Sequence, residues 1–177
     1  MAHFAGQTST SAPRRALVLI LAVSSAACSS PSPGSAYPDV IFQGSADESA
    51  LTAVLAVSPT DDPVHAAYFD APKDLSALPG TPIITFAWHD GQTPESPAPA
   101  DLDYLLAFRT LDTDEALFRV FTSSTSFTPD AAHWAQIATG TWTTLQVTSA
   151  AVDGDRLAAG SAPIGGQLIK FCVGTWQ

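Results

Sequence analysis

The sequence predicts an all-β fold, built as two packed sheets, and three observations carry that expectation. Residues 82–88 alternate, with Ile84, Phe86 and Trp88 on one side, and residues 103–109 alternate again, with Tyr104, Leu106 and Phe108 on one side. Side chains two apart share one face of a strand, so each run offers three large apolar groups to a common core. The 14 prolines and 11 glycines, spread along the chain, argue for many turns rather than long helices.

A chain of 177 residues fits one domain with small additions. Apolar residues make up 46% of it, enough for a sizeable core, while charged residues are only 14%, so Thr, Ser and Asp supply much of the polar surface. Net charge is -10. Two of the seven cations, Arg14 and Arg15, fall in a leader expected to be removed, which leaves five cations against 17 acids. Such a balance repels phosphate backbones, and there is no basic stripe to override it, so nucleic acid is excluded as a partner.

Arg14-Arg15 precede the apolar run Ala16-Leu17-Val18-Leu19-Ile20-Leu21-Ala22-Val23, then small residues, then Cys28. A positive n-region, an apolar core and a small-residue cleavage site describe a secretory signal over residues 1–27. The run is short of the roughly 20 residues that span a bilayer. Small residues ending at a Cys resemble the lipobox of bacterial lipoproteins. That resemblance implies a diacylglycerol on the Cys28 sulfur, cleavage before it and an acylated amine, hence a membrane partner through a lipid anchor. Ser29, where Asp would hold the protein at the inner membrane, resembles the pattern sent on to the outer membrane. Ordinary secretion, with Cys28 kept as a thiol in a periplasmic or secreted protein, is the alternative; Cys28 and Cys172 could then pair.

Residues 28–36 read as a flexible tether, because Ser29-Ser30-Pro31-Ser32-Pro33-Gly34-Ser35 has no apolar side chain to bury. Residues 37–62 are expected to add a short strand at 39–43 and a helix packed on the sandwich. Ser45-Ala46-Asp47-Glu48 reads as a capping box with Ser45 as N-cap, followed by an apolar stripe of Ala50, Leu51, Val54 and Leu55. A strand is the competing reading there, given Val54, Val57 and Pro59.

The sandwich proper is assigned to residues 63–177. Strands are expected at 64–69, at the two alternating runs, at 117–121, at 126–128, at 142–150 with Leu145 and Val147 on one face, and at 167–173 after Gly165-Gly166. Residues 131–138 look like a helical turn capped by Thr128 or Asp130, with Trp134 and Ile137 burying together. Turns are expected at 112–115 and 153–155.

This order, with Trp88 on an early strand, Tyr104 on the next and Ser126-Phe127-Thr128-Pro129 before the penultimate strand, resembles the fibronectin type III and immunoglobulin-like sandwich. The resemblance spans about residues 64–174, close to the length such domains need. It implies a core Trp on the second strand and a Tyr on the third, the positions of Trp88 and Tyr104. A jelly roll is the alternative two-sheet fold.

Candidates for chemistry are few. Asp112, Asp114 and Glu115 form the acidic turn nearest to a Ca²⁺ site; Asp101 with Asp103 and Asp153 with Asp155 are two further carboxylate pairs. None carries the spacing of an EF-hand loop, and a hard cation wants six to eight oxygens. His3, His65, His89 and His133 show no metal-ligand spacing, and His89, beside Asp90 in the loop 89–101, is the one singled out as a ligand-binding candidate. Trp142 is a candidate platform for a sugar ring, with Trp176 beside the terminus as another. No cofactor motif, nucleophile elbow or phosphate loop is present in the sequence, and no enzymatic activity is expected. The expectation is a membrane-anchored surface lipoprotein acting as a binding or structural module with a protein or glycan partner; the alternatives are a carbohydrate- or calcium-dependent binding module and, last, a small secreted hydrolase.

Overall fold

The computed structural model describes residues 35–174 apart from 82, 93–100, 114–115 and 138–140. In chain order, Val40–Gln43 forms β1, Glu48–Leu55 α1, Ala67–Ala71 β2, Ser76–Leu78 β3, Phe86–Asp90 β4, Leu102–Thr110 β5 and Ala116–Thr122 β6. Ser126–Phe127 forms β7, Ala131–Gln136 α2, Trp142–Asp153 β8, Arg156–Leu157 β9 and Ile164–Val173 β10. The fold is mostly β, in two sheets.

The larger sheet runs β1-β6-β5-β8-β10-β3, with β9 folded back on β8; the smaller runs β2-β4-β7. β1 pairs parallel with β6, and β3 pairs parallel with β10; the pairs between them are antiparallel. The two alternating runs of the sequence therefore do not pair. β4 and β5 lie in opposite sheets and meet face to face. The first run also becomes strand later than its alternation suggests: β4 starts at Phe86, and Ile83 and Ile84 pack on the core edge from irregular backbone.

The core lies between the sheets. Phe86 of the small sheet meets Phe108 edge-on at 5.2 Å between ring centroids and Phe171 at 5.5 Å, while Phe108 stacks on Phe118 at 4.4 Å. Trp88 packs edge-on against Tyr104 at 5.6 Å and is only 2% exposed. Because β7 is two residues long, the small sheet cannot cover the β6 side of the large one. α2 fills that gap: Trp134 and Ile137 are buried there, and Trp134 Nε1 donates to the Gly80 carbonyl at 2.9 Å. Asp130 is its N-cap, accepting from the His133 amide.

The outer face of the large sheet has its own cover. Ala50, Leu51 and Val54 of α1 pack with Val40, Phe121 and Ala150, residues that alternate with the inner row of their strands. The helix is thus present as the apolar stripe predicts, with two corrections. Its N-cap is Asp47, whose carboxylate accepts from the Ala50 amide at 2.9 Å, rather than Ser45. Glu48 does not turn back to close a capping box; it accepts from the Ala36 amide at 2.7 Å and so fixes the incoming chain. Leu55, expected in the stripe, is 42% exposed.

Asp39 holds β1 to the sheet from the residue before it. Arg119 donates through Nε and Nη2 to the two oxygens of Asp39 at 2.7 and 2.9 Å, and the guanidinium lies over the Tyr37 ring. The bridging Arg119 holds the Asp39 carboxyl below its usual range, with partial burial opposing the shift.

Candidate binding site

One end of the sandwich concentrates polar groups that the core interior lacks. It is the end where β4 finishes, β5 and β10 begin and β8 arrives. The inner row of β8 shows how the sequence builds it: Thr143, Leu145, Val147 and Ser149 are all buried, so the row is apolar in the middle and hydroxyl-bearing at both ends. Ser149 is 1% exposed and sits opposite Tyr104 on β5 and Ile164 on β10.

Tyr104 Oη donates to Asp90 Oδ2 at 2.5 Å, a bond from the large sheet to the small one. Burial, and then the Asp90 carboxylate beside it, push the Tyr104 hydroxyl well above its ordinary pKa, so it stays a donor. Among the described residues four buried side-chain atoms find no protein partner: Trp88 Nε1, Asp90 Oδ1 and Ser149 Oγ at this end, and Thr143 Oγ1 at the other end of β8. Buried polar atoms are ordinarily paired with protein or with ordered water.

Beside them lies a cavity of about 300 Å³, walled by Leu102, Ser149, Ala151 and Ile164 from the sheet and by Thr60, Asp62 and His65 from the segment leading into β2. Asp62 is fixed by its own turn. Its Oδ1 accepts from the Val64 and His65 amides at 3.0 and 3.3 Å, and its Oδ2 meets His65 Nδ1 at 2.8 Å. Those bonds, the His65 side chain first, hold the Asp62 carboxyl below its usual range. The Asp130–His133 pair repeats the pattern at 2.8 Å, which identifies Asp-x-x-His as a local turn device in this chain. Ser149 Oγ makes no hydrogen bond to His65, so Ser149, His65 and Asp62 share a cavity without forming a nucleophile–base pair.

The residues singled out from sequence are dispersed. His89 lies on the outer face of the small sheet, its Nδ1 3.0 Å from Asp70 Oδ1 and its ring beside Tyr68. Trp142 is half-buried at the far end of β8. Asp112 is in a turn, while Asp114, Glu115, Cys28 and Trp176 lie outside the described residues. Asp101 and Asp103 are joined by Asp47 along a second cleft near α1; burial, and then the Asp47 charge, raise the Asp103 carboxyl. Among the described residues no group of three or more His, Cys, Asp or Glu is arranged to hold a metal ion. Asp153 makes an exposed ion pair with Arg156, and Cys172 is buried at 5% exposure in β10.

Sequence reasoning passed over Ser149 and the Asp90–Tyr104 bond. A signal for the first was present: Ser149 continues the Leu145–Val147 alternation, which places a hydroxyl in a core register. The Asp90–Tyr104 bond had no comparable signal, because alternation assigns faces and not partners. Compared with protein-family models, curated proteins and solved structures, the chain matches none.

Proposed function

We propose that this chain is a lipid-anchored envelope protein whose single fibronectin type III or immunoglobulin-like sandwich serves as a binding or structural module. The observation that carries the reading is the division of its strands. With β1, β3 and β9 set aside as additions, seven strands remain. The first, second and fifth (β2, β4, β7) form one sheet; the fourth, third, sixth and seventh (β6, β5, β8, β10) form the other. Immunoglobulin constant-type sandwiches divide A, B, E and D from C, F and G, and the variable type adds C′ and C″ to the C, F, G sheet; here the first sheet has A, B and E without a D, and the second has one strand beside C. A buried Trp88 on the second of these strands, packed against Tyr104 on the third, supports the reading.

The anchoring half of the reading rests on the leader and Cys28. Among the described residues no helix is long and apolar enough to cross a membrane, so a membrane attachment through those residues' helices is not what the reading uses. Several acyl chains, at about 0.8 kcal/mol per buried methylene, hold a protein at a bilayer indefinitely. The test is metabolic labelling with an alkyne fatty acid in a Gram-negative host, wild type against Cys28→Ala. Label on the wild type alone, in the outer-membrane fraction, is the expected result. Equal labelling of both, or of neither, overturns the anchor.

A further inference from the structure

We propose that the outer face of the small sheet, where Tyr68 of β2 lies beside His89 of β4, docks a lysine- or arginine-bearing segment of a partner protein. The side chains there are accessible. Tyr68 is 36% exposed and Val64 41%, and the His89 and Asp70 side chains are each more than half exposed. Tyr68, Val64 and His89 border, with Pro63 and Gln92, a groove of about 580 Å³.

The groove is preformed. The Gly91 amide donates to the Ala66 carbonyl at 2.8 Å, and a Cβ on Gly91 would lie 2.3 Å from the Val64 carbonyl, so the exit of β4 and the chain entering β2 pack backbone to backbone. Both rings are held at their polar tips. Tyr68 Oη donates to the Pro63 carbonyl at 2.8 Å, and His89 Nδ1 lies 3.0 Å from Asp70 Oδ1. The rings stand 6.2 Å apart, inclined at 32°. A cation is attracted to the face of a tyrosine ring, and rings already fixed lose little freedom when it arrives.

Charge selects the occupant. Outside the leader the cations are Lys73, Arg109, Arg119, Arg156 and Lys170. The last four lie on strands of the large sheet. Residues 60–92, which carry β2 and β4, hold Asp61, Asp62, Asp70, Asp74 and Asp90 against Lys73 alone, and the Lys73 ammonium donates to the Phe69 carbonyl at 3.4 Å. A basic group is therefore drawn to this face and an acidic one repelled. One exposed cation–aromatic contact is worth only about fivefold in affinity, too little to retain a free ammonium ion. A chain segment adds apolar contact with Val64 and a second charge for the carboxylates. The inference rests on the reading of the domain as a binding module, and not on its anchor or its sandwich family.

The experiment titrates the Cys28→Ala protein, made without its leader, at low salt and about pH 8, where an ordinary imidazole is neutral. The probes are end-blocked peptides Gly-Arg-Gly-Lys-Gly, Gly-Glu-Gly-Glu-Gly and Gly-Ser-Gly-Ser-Gly, and methylammonium, followed in ¹H–¹⁵N spectra. The basic peptide is expected to give saturable shifts centred on the amides of Tyr68, Asp70 and His89, and the other three probes to bind at least about tenfold more weakly. Tyr68→Leu, which keeps apolar bulk and removes the aromatic face, and Asp70→Asn are each expected to weaken the basic peptide about threefold. Asp155→Asn, in the turn between β8 and β9, is expected to leave it unchanged. Methylammonium as tight as the basic peptide would make this a site for a free cation and overturn the proposal. Equal binding of the neutral or acidic peptide, unchanged affinity in both Tyr68→Leu and Asp70→Asn, or equal weakening by Asp155→Asn overturns it too. Saturable shifts centred on other amides overturn this site while leaving the domain a binding module.

Discussion

Tyr104 and Asp90 tie the two sheets together with one hydrogen bond, 2.5 Å from Oη to Oδ2, at the only place where a Trp, a Tyr and a carboxylate converge among the described core residues. Removing the donor leaves a half-buried carboxylate short of its partner while its other oxygen already has none. Tyr104→Phe is therefore expected to destabilise the protein by about 2 kcal/mol, the range for hydrogen bonds to charged groups. Urea unfolding of the two proteins measures this; a difference under about 0.5 kcal/mol would show the bond to be incidental.

The same residue makes stability fall in alkali. Tyr104 holds its proton more tightly folded than its ordinary pKa of 10.0 allows. Below that value both states are protonated and the contribution is whole. Above it the unfolded chain releases the proton and the folded one does not, so stability declines as pH rises. The urea midpoint should drop between about pH 9 and pH 11 in the wild type, and by less in Tyr104→Phe.

Asp39 gives the opposite dependence. Its carboxyl is held below 3.8 by Arg119, so its contribution is present above that pH and is lost as pH falls through the lower folded value. The pair is partly exposed, and bidentate geometry places its worth near 1 kcal/mol. Asp39→Asn should cost about that much at neutral pH, and hydrogen exchange should show β1 amides released before those of β5. Unchanged protection of Val40 and Ile41 would remove Asp39 from the account of how β1 is held.

At Gly166, β10 runs against β2 of the other sheet. A Cβ there would lie 2.7 Å from the Ala67 carbonyl of β2 and 2.9 Å from Val147 Cγ1, and the strand carries an irregularity in register between Gly165 and Leu168. Gly166→Ala should cost about 2 kcal/mol through the forced separation, whereas Gly80→Ala, with nothing near its added methyl, should cost little. Thermal melts of both variants distinguish them, and equal losses would contradict this packing.

The cap of α1 supplies a final contrast. Asp47→Ala removes the acceptor of the Ala50 amide and should cost about 1 kcal/mol. Ser45→Ala should cost distinctly less, since the Ser45 side chain is not the cap. The reverse order in chemical denaturation would restore the capping box.

Much of this architecture was legible because alternation is a local property. Tyr104, Leu106 and Phe108 are buried as their spacing requires, as are Leu145 and Val147. What alternation does not encode is pairing. The sequence places Trp88 and Tyr104 on inward faces, yet their meeting across the gap, in opposite sheets, depends on the chain's path between them. The strand at 39–43 was legible, but its parallel pairing with β6 was not, nor was the three-residue β3, because both partners lie far along the chain. Local chemistry was also ambiguous at α1, where Ser45 and Asp47 both suit an N-cap and the diversion of Glu48 to Ala36 decides between them. The cavity beside Ser149 was the least readable part, since its wall is assembled from the segment before β2 and from three strands of the large sheet.

Cys172 turns its burial into a kinetic instrument. Its thiol lies in β10 between β8 and β3, and the chain has one other cysteine, Cys28. In a Cys28→Ala background a disulfide reagent can reach sulfur only when that strand separates from its neighbours. The rate of colour release under native conditions then clocks how often the sheet opens, without denaturant.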